Sequence, residues 1–208
     1  MKVHLVVAHP EKESFNFALH QTAIRALNEE GIEICISDLY SEKFDPTAGH
    51  SDICNFPMDE SFNLAKAQRW ALETSSFTKA IVDEQSKLKS CDILVLQFPL
   101  WWWSFPAILK GWIDRVLTSG FAYGKDATLT PKKVMYSITT GGASTEEEFE
   151  YYQSKINGLY QDIFGFIGWE ALPAFISHGV QQISQTERVK ILNDYKSHLI
   201  RQITTTSI

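Results

Sequence analysis

The sequence predicts a single-domain α/β fold over residues 1–208, a doubly wound parallel sheet of five strands in the order 2-1-3-4-5 with a helical segment inserted after strand 2. Three observations predict it. Short β-branched or aromatic runs recur without apolar/polar alternation, the pattern of strands covered on both faces. Segments with apolar residues at helical spacing lie between them, and such alternation folds as parallel strands joined by right-handed crossovers. At 208 residues the chain is also long enough to bury about 70% of its unfolded surface.

Strand 1 is read at residues 3–8, and the segment 16–30 follows with Leu19, Ala23, Ala26 and Leu27 on one helical stripe. Strand 2 is read at 32–36. The stretch 40–88, entered through DLYSEKFDP, is far longer than a usual connection, and a long helix at 61–88 is expected within it, covering the sheet edge or a subunit interface. Strand 3 at 93–98 leads to a helix at 106–117, whose start Pro106 pre-sets. Strand 4 is placed at 134–140, strand 5 at 174–180 and a last helix at 187–202, and the tail TTTSI is expected to fray.

Composition narrows the function. A net charge of -6 without a Lys/Arg cluster argues against nucleic acid, so a small molecule is the expected partner. Three separated cysteines, Cys35, Cys54 and Cys91, signal neither a disulfide framework nor a zinc site, no metal is expected, and a reducing cytoplasm fits. The apolar run after Met1 is too short for a signal peptide, and Pro99, Pro106, Gln97 and Ser104 interrupt the one long apolar segment, so no stable membrane insertion is expected.

Ligands of such sheets bind at the carboxyl ends of the strands, so the loops there carry the functional signal. AHPEKESFNFAL, residues 8–19, has no glycine-rich phosphate loop; Ser14 and Asn16 at a helix start can hold a phosphate or simply cap the helix, and His9 can donate to an anion or close the turn. LQFPLWWWSFPAILKGW, residues 96–112, places Leu100, Trp101, Trp102 and Trp103 between Pro99 and Pro106. Exposed large aromatics require a partner, and a flat heteroaromatic ring or a second subunit would serve. SITTGGASTEEEFEYY, residues 137–152, lets the backbone at Thr139, Thr140, Gly141 and Gly142 approach a ligand, or forms only a turn; Glu146 to Glu148 read as a solvated helix start.

AHPEKESFNFAL, LQFPLWWWSFPAILKGWIDRV with GFAY, and ITTGG together resemble the NAD(P)H:quinone oxidoreductase (DT-diaphorase) family of flavodoxin-like flavoenzymes, and similarity extends through DLYSEKFDP, EQSKLKSCDILVLQFP, FIGWEALPAF and ERVKILNDYKSHL. The resemblance implies a homodimer holding FAD, with FMN the lesser alternative, that reduces quinones by two-electron transfer from NAD(P)H. It implies FAD contacts from His9, Ser14, Phe15, Asn16, Ala18, Pro99, Leu100, Trp101, Trp102, Trp103, Thr139, Thr140, Gly141, Gly142 and Arg188, and acceptor contacts from Trp102, Trp103, Tyr123 and Phe166. The family's catalytic tyrosine and histidine map by spacing onto Tyr151 and Asn157, with Phe149 and Tyr152 as alternative neighbours. Asn157 donates a hydrogen bond but takes up no proton near neutral pH. Here the chain is shorter than the family before FIGWE. Nitro and azo compounds are further expected acceptors. Two other readings stay open: a flavin-binding redox-sensing subunit of a membrane transporter, and a one-electron carrier.

Overall fold

The computed structural model describes residues 1–57, 61–142 and 145–205. The sheet runs β2 (Glu33–Asp38), β1 (Lys2–Val7), β3 (Ile93–Pro99), β4 (Lys133–Thr139), and every pair is parallel. Beyond β4 lie β5 (Glu170–Ala171) and β6 (Phe175–Ser177), both paired with it, so the order is the one expected from the alternation of elements. β3 is buried at every position, which accounts for its lack of alternation.

The fifth strand departs from the expected continuous 174–180. It is split between β5 and β6, because Pro173 lies in the gap and proline cannot donate to the ladder. The expected span covers only the half containing Phe175–Ser177, and the chain leaves the sheet at His178 rather than continuing to residue 180.

Two helices pack on one face. α1 (Phe15–Glu29) and α6 (Gln185–Thr204) enclose an apolar cluster that includes Leu19, Ala23, Leu27, Tyr195 and Leu199. Ser184 caps α6 and Glu187 returns the bond, which starts the helix two residues ahead of the expected 187. The opposite face is covered by α2 (Leu64–Glu73), α3 (Lys79–Ser90), α4 (Ala107–Val116) and α5 (Glu146–Tyr160). α5 was foreseen only at its acidic start; Thr145 and Glu148 form a reciprocal cap that fixes it there. Residues 143 and 144 of the TTGG loop and the end of the TTTSI tail lie outside the described residues.

The inserted segment corrects the expected single helix at 61–88. It is two helices, α2 and α3, parted at Ser75, whose φ of 54° is left-handed. The chain turns there so that Cys54 N–H donates to Ser76 O at 2.7 Å and Thr78 N–H to Asp52 O at 2.9 Å. Upstream, DLYSEKFDP is pinned to α4. Arg115 donates to Asp45 O and, beyond that stretch, to Asp52 at 2.6 Å with both side chains buried, and a Cβ on Gly111 would fall 2.2 Å from Pro46 O, so only glycine admits that approach.

Candidate functional site

The carboxyl end of the sheet opens into a cavity of about 530 Å³, inside the range of roughly 300–1,000 Å³ usual for cofactor sites. Its floor, at Asn16 and Thr139, is tied from beneath by Gln97. Gln97 Nε2 donates to Asn16 Oδ1 at 2.7 Å, and Asn16 Nδ2 donates to Thr139 Oγ1, all three residues being buried. Each polar group on this floor would otherwise carry a desolvation cost of about 1–3 kcal/mol, so the network fixes where β3, α1 and β4 end relative to one another.

One end of the cavity is built for negative charge. Ser14 caps α1, its Oγ accepting from Phe17 N–H at 3.3 Å, so Ser14 does cap the helix, and it lines the cavity as well. The remaining N–H groups of that first turn and the positive end of the helix dipole favour an anion there. His9 Nδ1 lies 3.0 Å from Glu11 N and 3.1 Å from Glu11 O, so the ring closes the turn at residues 9–11 beside the cavity. Arg188 reaches the same cavity from α6. Its guanidinium donates to Val180 O at 2.5 Å and lies 5.5 Å from the Phe15 ring centre, with no acidic partner among the described residues.

The other wall is the tryptophan turn. Trp101 N–H donates to Ser104 O at 3.2 Å and Ser104 N–H to Trp101 O at 3.0 Å, closing a two-residue hairpin. Its central residues, Trp102 and Trp103, both have left-handed φ, 49° and 59°, a geometry that Asn-Gly pairs ordinarily supply. Each costs about 1–2 kcal/mol in a side-chain-bearing residue. The strain holds Trp102 96% exposed at the cavity edge while Trp101 lines the wall. Strain of this kind persists where the surroundings over-determine it, and such places cluster at ligand sites.

Of the residues expected to contact a cofactor, His9, Ser14, Phe15, Asn16, Pro99, Leu100, Trp101, Trp102, Thr139, Thr140, Gly141 and Arg188 line this one cavity. Three do not. Ala18 is one turn along α1 and packs toward α6. Trp103 turns to α5, its ring 4.9 Å from Tyr151 and 4.7 Å from Tyr152. Gly142 lies beyond the lining, its carbonyl accepting from Thr140 Oγ1 at 2.7 Å.

The expected catalytic pair is divided. Tyr151 is half exposed against Trp103, whereas Asn157 accepts from Gln153 at 3.0 Å and lines a separate groove of about 200 Å³ between α5 and β4. A shift of six residues along α5 carries Asn157 down the helix, away from the carboxyl end of the sheet. Tyr123 and Phe166 face each other at 6.3 Å between ring centres, outside the cavity lining.

Sequence reasoning missed Glu13, Val180 and Gln181, which also line the cavity, and His178 beside it. The available signal was positional. SHGVQQ follows the fifth strand, and every loop at that end of the sheet is a candidate. Among the described residues no group of three or more His, Cys, Asp or Glu is arranged to hold a metal ion, and no helix is long and apolar enough to cross a membrane.

A family model described as a flavodoxin-like fold matches residues 1–199. The chain is 37% identical to a ribosyldihydronicotinamide dehydrogenase-like protein of Penicillium crustosum over 92% of this chain and 78% of that one. It is 36% identical to NAD(P)H dehydrogenase (quinone) 1 of Cavia porcellus, over 94% of this chain and 74% of that one. A solved structure from Klebsiella pneumoniae, described as belonging to a quinone reductase, superposes with a TM-score of 0.82 at 33% identity, covering 100% of this chain and 85% of that one. With its sheet order, its tryptophan turn and these relatives, the chain belongs to the flavodoxin-like family and, within it, to the NAD(P)H:quinone oxidoreductases.

Proposed function

We propose that the protein is an FAD-dependent NAD(P)H dehydrogenase that reduces quinones, and other flat acceptors such as nitro or azo compounds, as a cytoplasmic homodimer. The single observation that carries this reading is the shape and lining of one cavity, with an indole wall at one end and, at the other, a helix start beside a guanidinium that has no acidic partner among the described residues. A flavin bound there supplies two-electron chemistry, taking reducing equivalents from a dihydronicotinamide and giving them to a quinone.

Each wall has its task. Trp101 and Leu100 offer a flat apolar surface, and the turn at Gly141 and Gly142 offers backbone N–H donors that would face developing negative charge, the Thr140 N–H being bound to Ser177 O. The α1 start with Ser14 and His9 would hold phosphate. Arg188 supports FAD over FMN, because its cation stands on the α6 side of the cavity, where a second phosphate and an adenine would extend. Tyr123 and Phe166, paired but apart from the cavity, support a homodimer in which they would wall the acceptor site of a second copy.

For catalysis, Tyr151, packed against Trp103 outside the cavity lining, would orient the acceptor, while Asn157 is assigned no part in that step. The transporter-subunit reading draws no support from the curated relatives above, which are named as dehydrogenases.

The test is the purified protein itself. It should be yellow, release FAD identified by mass, bleach under anaerobic NADH or NADPH, and regain colour with a quinone. Protein that stays colourless and takes up neither FAD nor FMN would overturn the reading.

A further inference from the structure

The half-buried His178 follows β6 at the carboxyl end of the sheet and has no assigned role. Thr140 N–H donates to Ser177 O at 2.9 Å, which brings the residue after Ser177 against the turn at 140–142. His178 Nδ1 lies 3.0 Å from Thr140 Oγ1 and 3.4 Å from Gly142 O. The hydroxyl proton of Thr140 is already given to Gly142 O at 2.7 Å, so Thr140 Oγ1 is free to accept. Nδ1 faces two acceptors and therefore carries the proton, and Nε2 is the atom that titrates.

The ring is held from its other side by α5. Phe149 lies 4.7 Å and Tyr152 5.1 Å from it between ring centres, and Tyr152 in turn lies 4.7 Å from Trp103. One run of contacts thus joins the turn at 140–142 to the tryptophan turn. Tyr152 is the titratable neighbour of the imidazole, and Glu13 and Arg188 are the charged residues of the cavity. Burial holds the His178 pKa below its ordinary value, opposed by the bond to Gly142 O. The ring is thus neutral near pH 7 until negative charge arrives nearby.

We propose that His178 is a positioning residue of the flavin site, holding the Thr140–Gly142 turn through Nδ1–H and taking a proton from solvent on Nε2 when negative charge builds on a ligand held by that turn. This rests on the reading of the cavity given above. The main chain of Gly141 and Gly142 makes no hydrogen bond through N–H to a described residue, so those donors remain for a ligand and their aim depends on the brace behind them. A positive charge behind the turn stabilises an anion more than a neutral ring does, and binding the anion must raise the imidazole pKa by the same free energy.

The test measures the affinity for oxidised and reduced FAD, and the pH dependence of the bound-flavin midpoint potential, in wild type, H178N and H178F. Asparagine keeps a donor near the Nδ1 position but does not titrate, whereas phenylalanine removes both functions. H178N should bind oxidised FAD nearly as wild type does, bind reduced FAD about tenfold more weakly, the ratio one pKa unit produces, and lose the bend in potential against pH. H178F should weaken both forms, and H178N carries the test if H178F does not fold. Equal pH dependence in wild type and H178N, with FAD bound by both, overturns the inference alone. Wild-type protein that takes up no flavin overturns the flavin reading, and the inference with it.

Discussion

Gln97 and Asn16 are joined by a 2.7 Å hydrogen bond between buried amides, and through it the end of β3 is tied to the first turn of α1. Asn16 passes the connection to Thr139 at the end of β4. The floor of the cavity is thus set by side chains from three separate segments, so a change at its centre alters stability and binding together.

Replacing Asn16 by alanine leaves Gln97 Nε2 and Thr139 Oγ1 without their partner in a buried site. A loss of about 1–3 kcal/mol is expected in urea unfolding. Flavin affinity should fall with it. Unchanged stability would mean that water replaces the amide and that the floor is not a fixed element.

Arg188→Ala removes the one Lys or Arg that lines the cavity among the described residues. FAD affinity should drop about tenfold or more, the equivalent of the 1.5–3 kcal/mol of a charge-assisted bond, while FMN affinity changes little. Isothermal titration with each flavin reads the difference. Equal losses would contradict the placement of the guanidinium beside the second phosphate.

Trp102 combines a left-handed φ of 49° with 96% exposure, so glycine in its place relieves backbone strain without opening the core. The melting temperature of Trp102→Gly should stay close to the parent, relief of about 1 kcal/mol offsetting the greater freedom of the unfolded chain. Quinone turnover should fall as the wall is lost. A large drop in melting temperature with turnover intact would assign the indole to packing in an assembly instead.

Acid should destabilise the protein through His4. It is fully buried, and burial, with Lys87 and Lys2 adding, pushes its pKa down from 6.5 to about 3. The unfolded imidazole takes a proton near 6.5 and the folded one only near 3, so the unfolded state binds more protons between those values. Stability is full above that window, falls by about 1.4 kcal/mol per pH unit as acid is added, and levels off below it. Buried His20, lowered to about 4, adds a slope of the same sign. Unfolding midpoints across the window should show a shallower slope in His4→Gln; an unaltered slope would locate the acid sensitivity elsewhere.

Pattern alone yielded the sheet order and the loops at its carboxyl end, because these follow from local periodicity and from the rule that parallel strands present that end to ligands, whereas most of the cavity lining was implied residue by residue by the family resemblance. Boundaries moved where backbone groups bond across distance or where proline removes a donor. The break between α2 and α3 depends on Cys54 and Asp52 meeting Ser76 and Thr78, and the split of the last strand on a single proline.

What the sequence by itself determined is the order of elements and the three loops, at 8–19, 96–112 and 137–152, that stand where a ligand would meet the sheet, composition alone leaving a cap, a subunit contact or a turn open for them. Tertiary structure alone decided which side chains of those loops turn inward, that Trp103 leaves the cavity for α5, that Asn157 sits in another groove, and that His178 stands behind Thr140. The physical reason is that chain spacing fixes which residues share a helix face or strand. Contacts between segments remote in sequence are settled only when buried polar groups and rings must each find a partner.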